Sequence, residues 1–510
     1  MAKQFYTTEG LQAIAEQNTW IALLPEIGLV LIALALLCLE IGLSKEKRSK
    51  AIIWTAVGGQ TIVLLGMAAI IWWMPFMSQM SFGGMIQHSV RVDWMRLFFL
   101  LSSLGVSLLA IPYLQRRQLP QCEFFHLILL ATVGLMLLVQ SGHFVMLFVA
   151  LELVTVSLYI LVAYCRQSSL SLEAGIKYLV LGAASSAILL FGIVLLYAAA
   201  SNPQLGASLG HPLDLNALGF FIDKNPNNTF VLVGTVLVIA GIAFKIGAVP
   251  FHIWVPDVYQ GAPTPVTAFL AVASKAGGIF VLYNLLTDPF LQLDYFLIPL
   301  LSLIAIATII LGNLSALPQH NVKRLMGLSG VAHAGYLIMG VTAAMVLPWT
   351  FNGIFFYLIA YLLASLAVFG VMSILAPEED ADQNLYDYRD LAKQRPFLAV
   401  VLTLGIGSLA GIPPLAGFVG KVLILYAAWK AELYLLFGVA LVGVVLSMYY
   451  YFKWILAAWN RNEPYPESKN EAKPTTISPQ LAFSQKAVMG AFTIGTLVLG
   501  LYQGMLYYLG

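Results

Sequence analysis

The stretch "GIAFKIGAVPFHIWVPDVYQGAPTPV", residues 241–266, ends a run of apolar residues and yet carries a lysine, Lys245. A lysine at the centre of a membrane helix costs about 2.5–3.5 kcal/mol on insertion scales, so its presence needs a reason. Pro250 removes a backbone donor one turn later, and Gly241 and Gly247 flank the lysine. The helix is therefore expected to bend or unwind there. In lipid, carbonyls freed by such a break need water or polar neighbours. Charge and backbone interruption thus coincide at membrane depth.

The remainder of the chain fits that setting. Its 510 residues are 60% hydrophobic and 10% charged, with a mean hydropathy of +0.87, whereas soluble domains carry roughly 25% charged residues. The composition is that of a polytopic membrane protein. Lys and Arg number 26 against 24 Asp and Glu, a net charge of +2 that leaves no basic face for nucleic acid. Cys38, Cys122 and Cys165 lie far apart, without the CxxC or Cys/His spacing that holds zinc, haem or an iron–sulfur cluster. No glycine-rich nucleotide loop is visible, so neither electron transfer nor nucleotide binding is expected on this chain. The polar start, "MAKQFYTTEGLQAIAEQNTW", lacks the charged-then-apolar order of a cleaved signal peptide.

A crossing needs roughly 20 apolar residues. Fourteen segments qualify, at about 20–43, 51–75, 94–114, 124–142, 144–165, 174–200, 229–255, 264–286, 294–316, 325–346, 351–376, 397–429, 432–457 and 486–508. The fold class is therefore an all-α integral membrane bundle, since barrel strands would alternate instead. Alternate loops collect the positive charge: "SKEKRSK" (44–50), Arg116 and Arg117, Arg166 with Lys177, Lys323 with Arg324, Arg389 with Lys393 and Arg395, then Arg461, Lys469, Lys473 and Lys486. The opposite loops hold only Lys3, Arg91, Lys224 and Lys430. That bias predicts that both termini face away from the cytoplasm.

Three lysines, Lys245, Lys275 and Lys421, and one carboxylate, Glu152, lie deep inside segments. Read as structure alone, they are ion pairs that hold helices in register. Three cations and one anion do not neutralise one for one, however, so some of these lysines must titrate or meet water. Desolvation disfavours a lysine's charged form and a nearby carboxylate favours it, so moving Glu152 relative to Lys245 would load or unload a proton. The twelfth segment repeats the pattern: at about 1.5 Å per residue it is roughly 50 Å long, too much for one straight crossing. Its Gly411, Pro413, Pro414, Gly417 and Gly420 predict a break just before Lys421. The seventh and twelfth segments run in opposite directions, as the broken helices of an inverted-repeat transporter do. The expected organisation is three helices in 1–123, a five-helix repeat at 124–286, its inverted counterpart at 294–457, and a loop with a last helix in 458–510.

Between the two breaks, Lys275 and His333 are the candidate intermediates, each among small residues that leave room for water. Tyr357 and Tyr361 could assist, although packing is the ordinary role of such rings. Lys177 sits at a helix entrance, as an anchor or as a point of proton uptake. Arg96 lies near a segment end, where it can snorkel. Glu26 and Glu40 are expected to meet a neighbouring subunit, His252 and Asp257 to serve as turn and cap, and "PEEDADQNLYDYRDLAKQRP" to be a solvated connection.

Four stretches, "GIAFKIGAVPFHIWVPDVYQGAPTPVTAFLAVASK" (241–275), "ALELVTVSLYILVAY" (150–164), "NVKRLMGLSGVAHAGY" (321–336) and "LAGIPPLAGFVGK" (409–421), closely resemble the N-type antiporter-like subunit of bacterial proton-pumping NADH:quinone oxidoreductase, respiratory complex I. The resemblance runs through all fourteen segments, and HxWxPDVYQGAPTPV separates the N-type from its siblings. It implies a proton channel in a membrane arm. Glu152 matches the family's fifth-helix glutamate, Lys245 its partner on the broken seventh helix, Lys275 the central lysine of the eighth, and Lys421 the lysine of the broken twelfth. His333 matches the histidine of an SxSHxGY pattern, but Gly330 and Ala332 stand where serines are common, which implies a path hydrated by water rather than hydroxyls. The M-type usually has glutamate in place of Lys421, and the L-type adds a long lateral helix where this chain stops at Gly510; both traits favour the N-type. NADH, FMN, iron–sulfur clusters and quinone are implied for other subunits. The implied partners are the M-type subunit, the small K-, J- and A-type subunits, and lipid. The alternatives are a subunit of a multisubunit cation/proton antiporter and a scaffold subunit of a membrane complex.

Overall fold

Long apolar runs without acid or base satisfy their backbone groups internally in lipid only as helices, and that is how this chain folds. The computed structural model describes residues 18–73, 79–205, 210–459 and 483–502. The expected loop after 458, the last segment beyond Tyr502 and the first seventeen residues lie wholly or largely outside these. In chain order the helices are α1 (Leu24–Gly42), α2 (Lys45–Trp73), α3 (Val90–Arg116), α4 (Cys122–Val139), α5 (Phe144–Val162), α6 (Ser169–Ala200), a short α7 (Leu215–Lys224), α8 (Thr229–Ile246), α9 (Trp254–Gly261) and α10 (Thr264–Thr287). They continue as α11 (Asp294–Ala316), α12 (Val322–Ala344), α13 (Thr350–Leu375), α14 (Pro396–Ala410), α15 (Ala416–Lys430), α16 (Tyr434–Trp459) and α17 (Phe483–Leu501). One antiparallel hairpin, Gln79–Ser81 with Ile86–His88, precedes α3.

Among the described residues, thirteen helices are long and apolar enough to cross a membrane. The remaining expected crossing is the divided pair α14 and α15. Both breaks are made the same way. At the first, α8 ends on Gly247 with φ +77°, and Ala248 N–H reaches back to the Ala243 carbonyl at 2.9 Å. At the second, α14 ends on Gly411 with φ +86°, and Ile412 N–H reaches the Gly407 carbonyl at 3.0 Å. This is the Schellman closure, whose left-handed residue is almost always glycine because a Cβ is strained there. A proline follows each within three residues, at Pro250 and Pro413–Pro414, and prevents the helix from resuming at once. Four crossings lie between the two interrupted helices, so the seventh and the twelfth run in opposite directions.

Helices α10 and α12 are buried along their whole apolar windows, whereas α1 and α2 face outward along most of theirs. The core is therefore the centre of the bundle, and it is where Lys275 and His333 sit. Close approach of α6 to α8 depends on missing side chains: a Cβ on Gly192 would meet the Gly234 carbonyl oxygen at 2.8 Å, and one on Gly234 would meet that of Gly192 at 3.0 Å.

Several polar residues differ from the sequence expectation. Arg96 does not snorkel: it is fully buried, bonded to Glu26 at 2.7 Å and to Asp93 at 2.9 Å. Glu26 is thereby satisfied inside the chain, with Gln140 donating to it as well, and Glu40 pairs with Arg48. A guanidinium buried in the bundle is tolerated only because carboxylates pair with it, and sequence cannot show that helices α1, α3 and α4 converge to form that cluster. The connection after α13 is not uniformly solvated. Asp380 is buried and accepts from Thr264 N–H and Oγ1, Tyr113 Oη and Gln383 Nε2, at 2.6–2.8 Å, and from Lys323 Nζ at 3.2 Å. Lys323 also donates to the Ala262 carbonyl at 2.5 Å. The cluster ties the α9–α10 junction to the chain that leads into α14.

Candidate proton path

Lys245 ends α8, where the break brings the Nζ into the core instead of to lipid. It is 5% exposed, as are Lys275 and Lys421. Its ammonium donates to Thr155 Oγ1 on α5 at 2.7 Å, and that hydroxyl donates in turn to the Leu151 carbonyl at 2.6 Å. The Tyr178 ring of α6 lies 5.8 Å from the ammonium, within cation–π range. Glu152 is one helical turn from Thr155 on α5, half-buried, and accepts a hydrogen bond from the Ser186 hydroxyl of α6. No hydrogen bond or ion pair joins Glu152 to Lys245 in this conformation; each charge is held by a neutral hydroxyl.

Lys275 follows a π-helical turn, Leu270–Ser274, within α10, a local widening common at functional positions. Its ammonium donates to the Gly330 carbonyl of α12 and lies 5.7 Å from the Tyr361 ring. A Cβ at Gly330 would come within 2.9 Å of that Nζ, so glycine, where the resembling pattern has serine, leaves the lysine room. His333, one turn on, is held by two phenols, Tyr357 at Nδ1 (2.5 Å) and Tyr451 at Nε2 (3.1 Å). Tyr357 of α13 is one of the two tyrosines expected to assist, whereas Tyr451 of α16 supplies a hydroxyl that the sequence reading did not anticipate. A neutral imidazole can accept at one nitrogen and donate at the other, and a phenol can do both. Between His333 and Lys421 lies a cavity of ≈ 10 Å³ bordered by Tyr357, Tyr361, Ser408 and Gly417, close to the roughly 10–15 Å³ that one water occupies. Lys421, in the second turn of α15, donates to the Ala410 carbonyl exposed by the break, at 2.9 Å, with the Tyr336 ring 5.6 Å away.

The structure thus gathers Lys275, His333 and Lys421 around one group of tyrosines, and places Lys245 with Glu152 in a neighbouring group on α5, α6 and α8. Lys177 stands apart, 41% exposed and paired with Glu173 and Asp257 at 2.7 Å each. Asp257 also bonds Arg324 at 2.7 Å, so it is a bridge between α6, α9 and α12 rather than a simple cap. Sequence reading did not single out Thr155, Ser186, Tyr178 or Tyr451. Thr155 had a signal, its position three residues after Glu152, and Ser186 had one in the "SS" pair of an otherwise apolar helix. At the edge of the bundle, burial pushes the Asp380 carboxyl upward, but the Lys323 and Arg117 charges and the hydrogen bonds of Thr264 and Tyr113 outweigh it and hold the group below the ordinary carboxylate range.

Residues 141–447 match the family pattern described as NADH:quinone oxidoreductase/Mrp antiporter, TM. The chain is 50% identical over 499 residues to NADH-quinone oxidoreductase subunit N 1 of Opitutus terrae, covering 98% of each. It is 38% identical to subunit N of Methylococcus capsulatus over 444 residues, 85% of each. Among solved structures, respiratory complex I from Thermus thermophilus contains a chain that is 29% identical with a TM-score of 0.76, covering 95% of this chain and 98% of that one. A chain of the Mrp complex from a Dietzia species has a TM-score of 0.79 at 22% identity over 95% and 96% of the two chains, a likeness of fold.

Buried lysines at two inverted helix breaks, in a bundle of this pattern, define an antiporter-like membrane protein. More particularly, the chain belongs to the subunit N family of NADH-quinone oxidoreductase, the proton-translocating subunits in the membrane arm of respiratory complex I. It is a multi-pass membrane protein and part of that complex.

Proposed function

We propose that protons are taken up from the cytoplasm near the Lys245 break, pass Lys275 and His333, and leave toward the periplasm past Lys421. Glu152 tunes the affinity of Lys245 for its proton, and Lys177 holds the α6–α9 contact at the uptake side. The observation that carries this reading is the burial of all three lysines beside neutral partners, with hydroxyls and an imidazole between the second and third. A buried ammonium with only neutral acceptors is held at a cost that deprotonation relieves. The repeats are 124–286 and 294–457, flanked by 1–123 and 458–510, and both termini are periplasmic. Redox chemistry with NADH, FMN, iron–sulfur clusters and quinone belongs to other subunits. The M-type subunit and the small K-, J- and A-type subunits adjoin this one and deliver the signal that moves Glu152. The test is Lys245→Ala and Glu152→Gln in the assembled complex, with protons moved per electron as the readout. A loss of pumping is expected, and an undiminished ratio in both variants refutes the route.

A further inference from the structure

We propose that Thr155 and Ser186 are positioning residues that hold Lys245 and Glu152 apart, so that one arm of the proton switch is built from two neutral hydroxyls. The inference rests on the path proposed above.

Glu152 and Lys245 are the natural partners among the described residues of α5, α6 and α8, a carboxylate and a lysine within opposing membrane segments. An unscreened opposite charge is a stronger partner than a hydroxyl in low dielectric. Yet each faces a hydroxyl: Lys245 donates to Thr155, and Glu152 accepts from Ser186. The arrangement is directional. Thr155 spends its own proton on the Leu151 carbonyl, so its oxygen is left as an acceptor suited to an ammonium. Ser186 presents its proton, which suits a carboxylate. Neither hydroxyl could exchange roles without losing a bond. Both sit on helices whose spacing is fixed: α5 carries Thr155 one turn from Glu152, and the adjacent Ser185 anchors α6 to the Gly241 carbonyl of α8 at 3.1 Å. The two hydroxyls thereby stabilise a separated state that would otherwise have only the Tyr178 hydroxyl, 3.5 Å from Lys245, to support it. In that state Glu152 acts on Lys245 only through space, without a direct ion pair, and the lysine releases its proton more readily; in the paired state it retains it.

The other titratable groups nearby are Tyr159 of α5, its ring 5.0 Å from that of Tyr178 of α6, Tyr259 of α9, and Lys275 further along α10. None is a carboxylate, so the balance between the two states falls to the hydroxyls and Glu152.

The test uses the assembled complex in membrane vesicles with Thr155→Val, Ser186→Ala, the double variant, and the conservative Thr155→Ser and Ser186→Thr. Loss of either hydroxyl favours the paired state, in which the lysine keeps its proton. Coupled turnover should fall about tenfold at neutral pH for each deletion, the scale of one hydrogen bond to a charged group. The alkaline limb of the turnover–pH profile should move upward by about one unit, and the conservative variants should restore both. A merely structural role would lower the amount of assembled complex without moving that limb. Should the double variant not assemble, the single variants carry the test. Wild-type turnover and profile in Thr155→Val and Ser186→Ala, alongside lost pumping in Glu152→Gln and Lys245→Ala, would overturn this proposal and leave the path standing. Normal pumping in the latter two overturns the path itself.

Discussion

The two helix breaks share one backbone device and differ in what they offer a lysine. At Gly247 the chain closes α8 and Lys245 finds a side-chain hydroxyl, with a carboxylate one turn away on α5. At Gly411 the chain closes α14 and Lys421 takes the backbone carbonyl of Ala410, which that closure itself leaves without a helical partner. Among the described residues, no carboxylate pairs with Lys421 at the second. Side chains can move and change charge, whereas a backbone carbonyl in a fixed break cannot. The first break is thus built to be adjusted, and the second to hold one constant environment. On the proposed path, the same local fold serves a regulated step and a passive one.

The largest effects should come from removing the lysines. Lys245→Ala and Lys421→Ala are each expected to reduce proton translocation at least tenfold in the assembled complex. Glu152→Gln should separate the breaks, altering how turnover depends on the neighbouring subunits; an effect of Glu152→Gln equal in kind to that of Lys421→Ala would erase the distinction. Next in size is Asp380→Asn, which leaves the Lys323 ammonium without its buried counter-charge where the first break is tied to the chain leading into the second. A loss of about 3–5 kcal/mol is expected, read from thermal or denaturant unfolding of the subunit in detergent. The wild-type carboxyl is held below its ordinary value, so its contribution is fully present above about pH 4 and is lost as pH falls through the lower folded value. Stability measured from pH 8 to pH 5 should show no step from this group.

A smaller pair of variants compares the breaks directly. Gly247→Ala and Gly411→Ala both force an alanine into left-handed backbone, at about 1–2 kcal/mol. At Gly247 the added Cβ would meet Val255 Cγ2 at 3.0 Å, but at Gly411 it would meet Lys421 Cδ at 3.0 Å. Gly411→Ala should therefore impair pumping beyond its loss of stability, and Gly247→Ala should not; equal pumping in the two, at matched assembly, would contradict the account of Lys421. The smallest effect belongs to Lys177→Met. Its pairs are half-exposed and worth less than about 1 kcal/mol, so turnover should change less than twofold, and most at low salt. A tenfold loss would instead make Lys177 a point of proton uptake.

The bundle was legible because lipid imposes a simple demand: runs of apolar residues about twenty long become helices, whatever lies around them. Both breaks were legible for a similarly local reason, since Gly247 with Pro250, and Gly411 with Pro413 and Pro414, act on their own backbone. The deep charges stood out against their surroundings for the same cause. Partners were another matter. Glu26 and Arg96 read as unrelated residues because the contact joins α1 to α3, and Asp380 read as part of a solvated loop because the residues that bury it come from α3, α10 and α12. Tyr357 is expected near His333, but nothing in the sequence shows that Tyr451 flanks its other side.

Helix content, the number of crossings, the two interruptions and the charged residues at membrane depth thus follow from the order of amino acids, because each depends on neighbours within a turn or two. Which hydroxyl faces which charge was decided only when distant helices packed. Hydrogen bonds act over about 3 Å, and the residues that make them here lie tens to hundreds of positions apart in the chain, so the separation of Glu152 from Lys245 exists only in three dimensions.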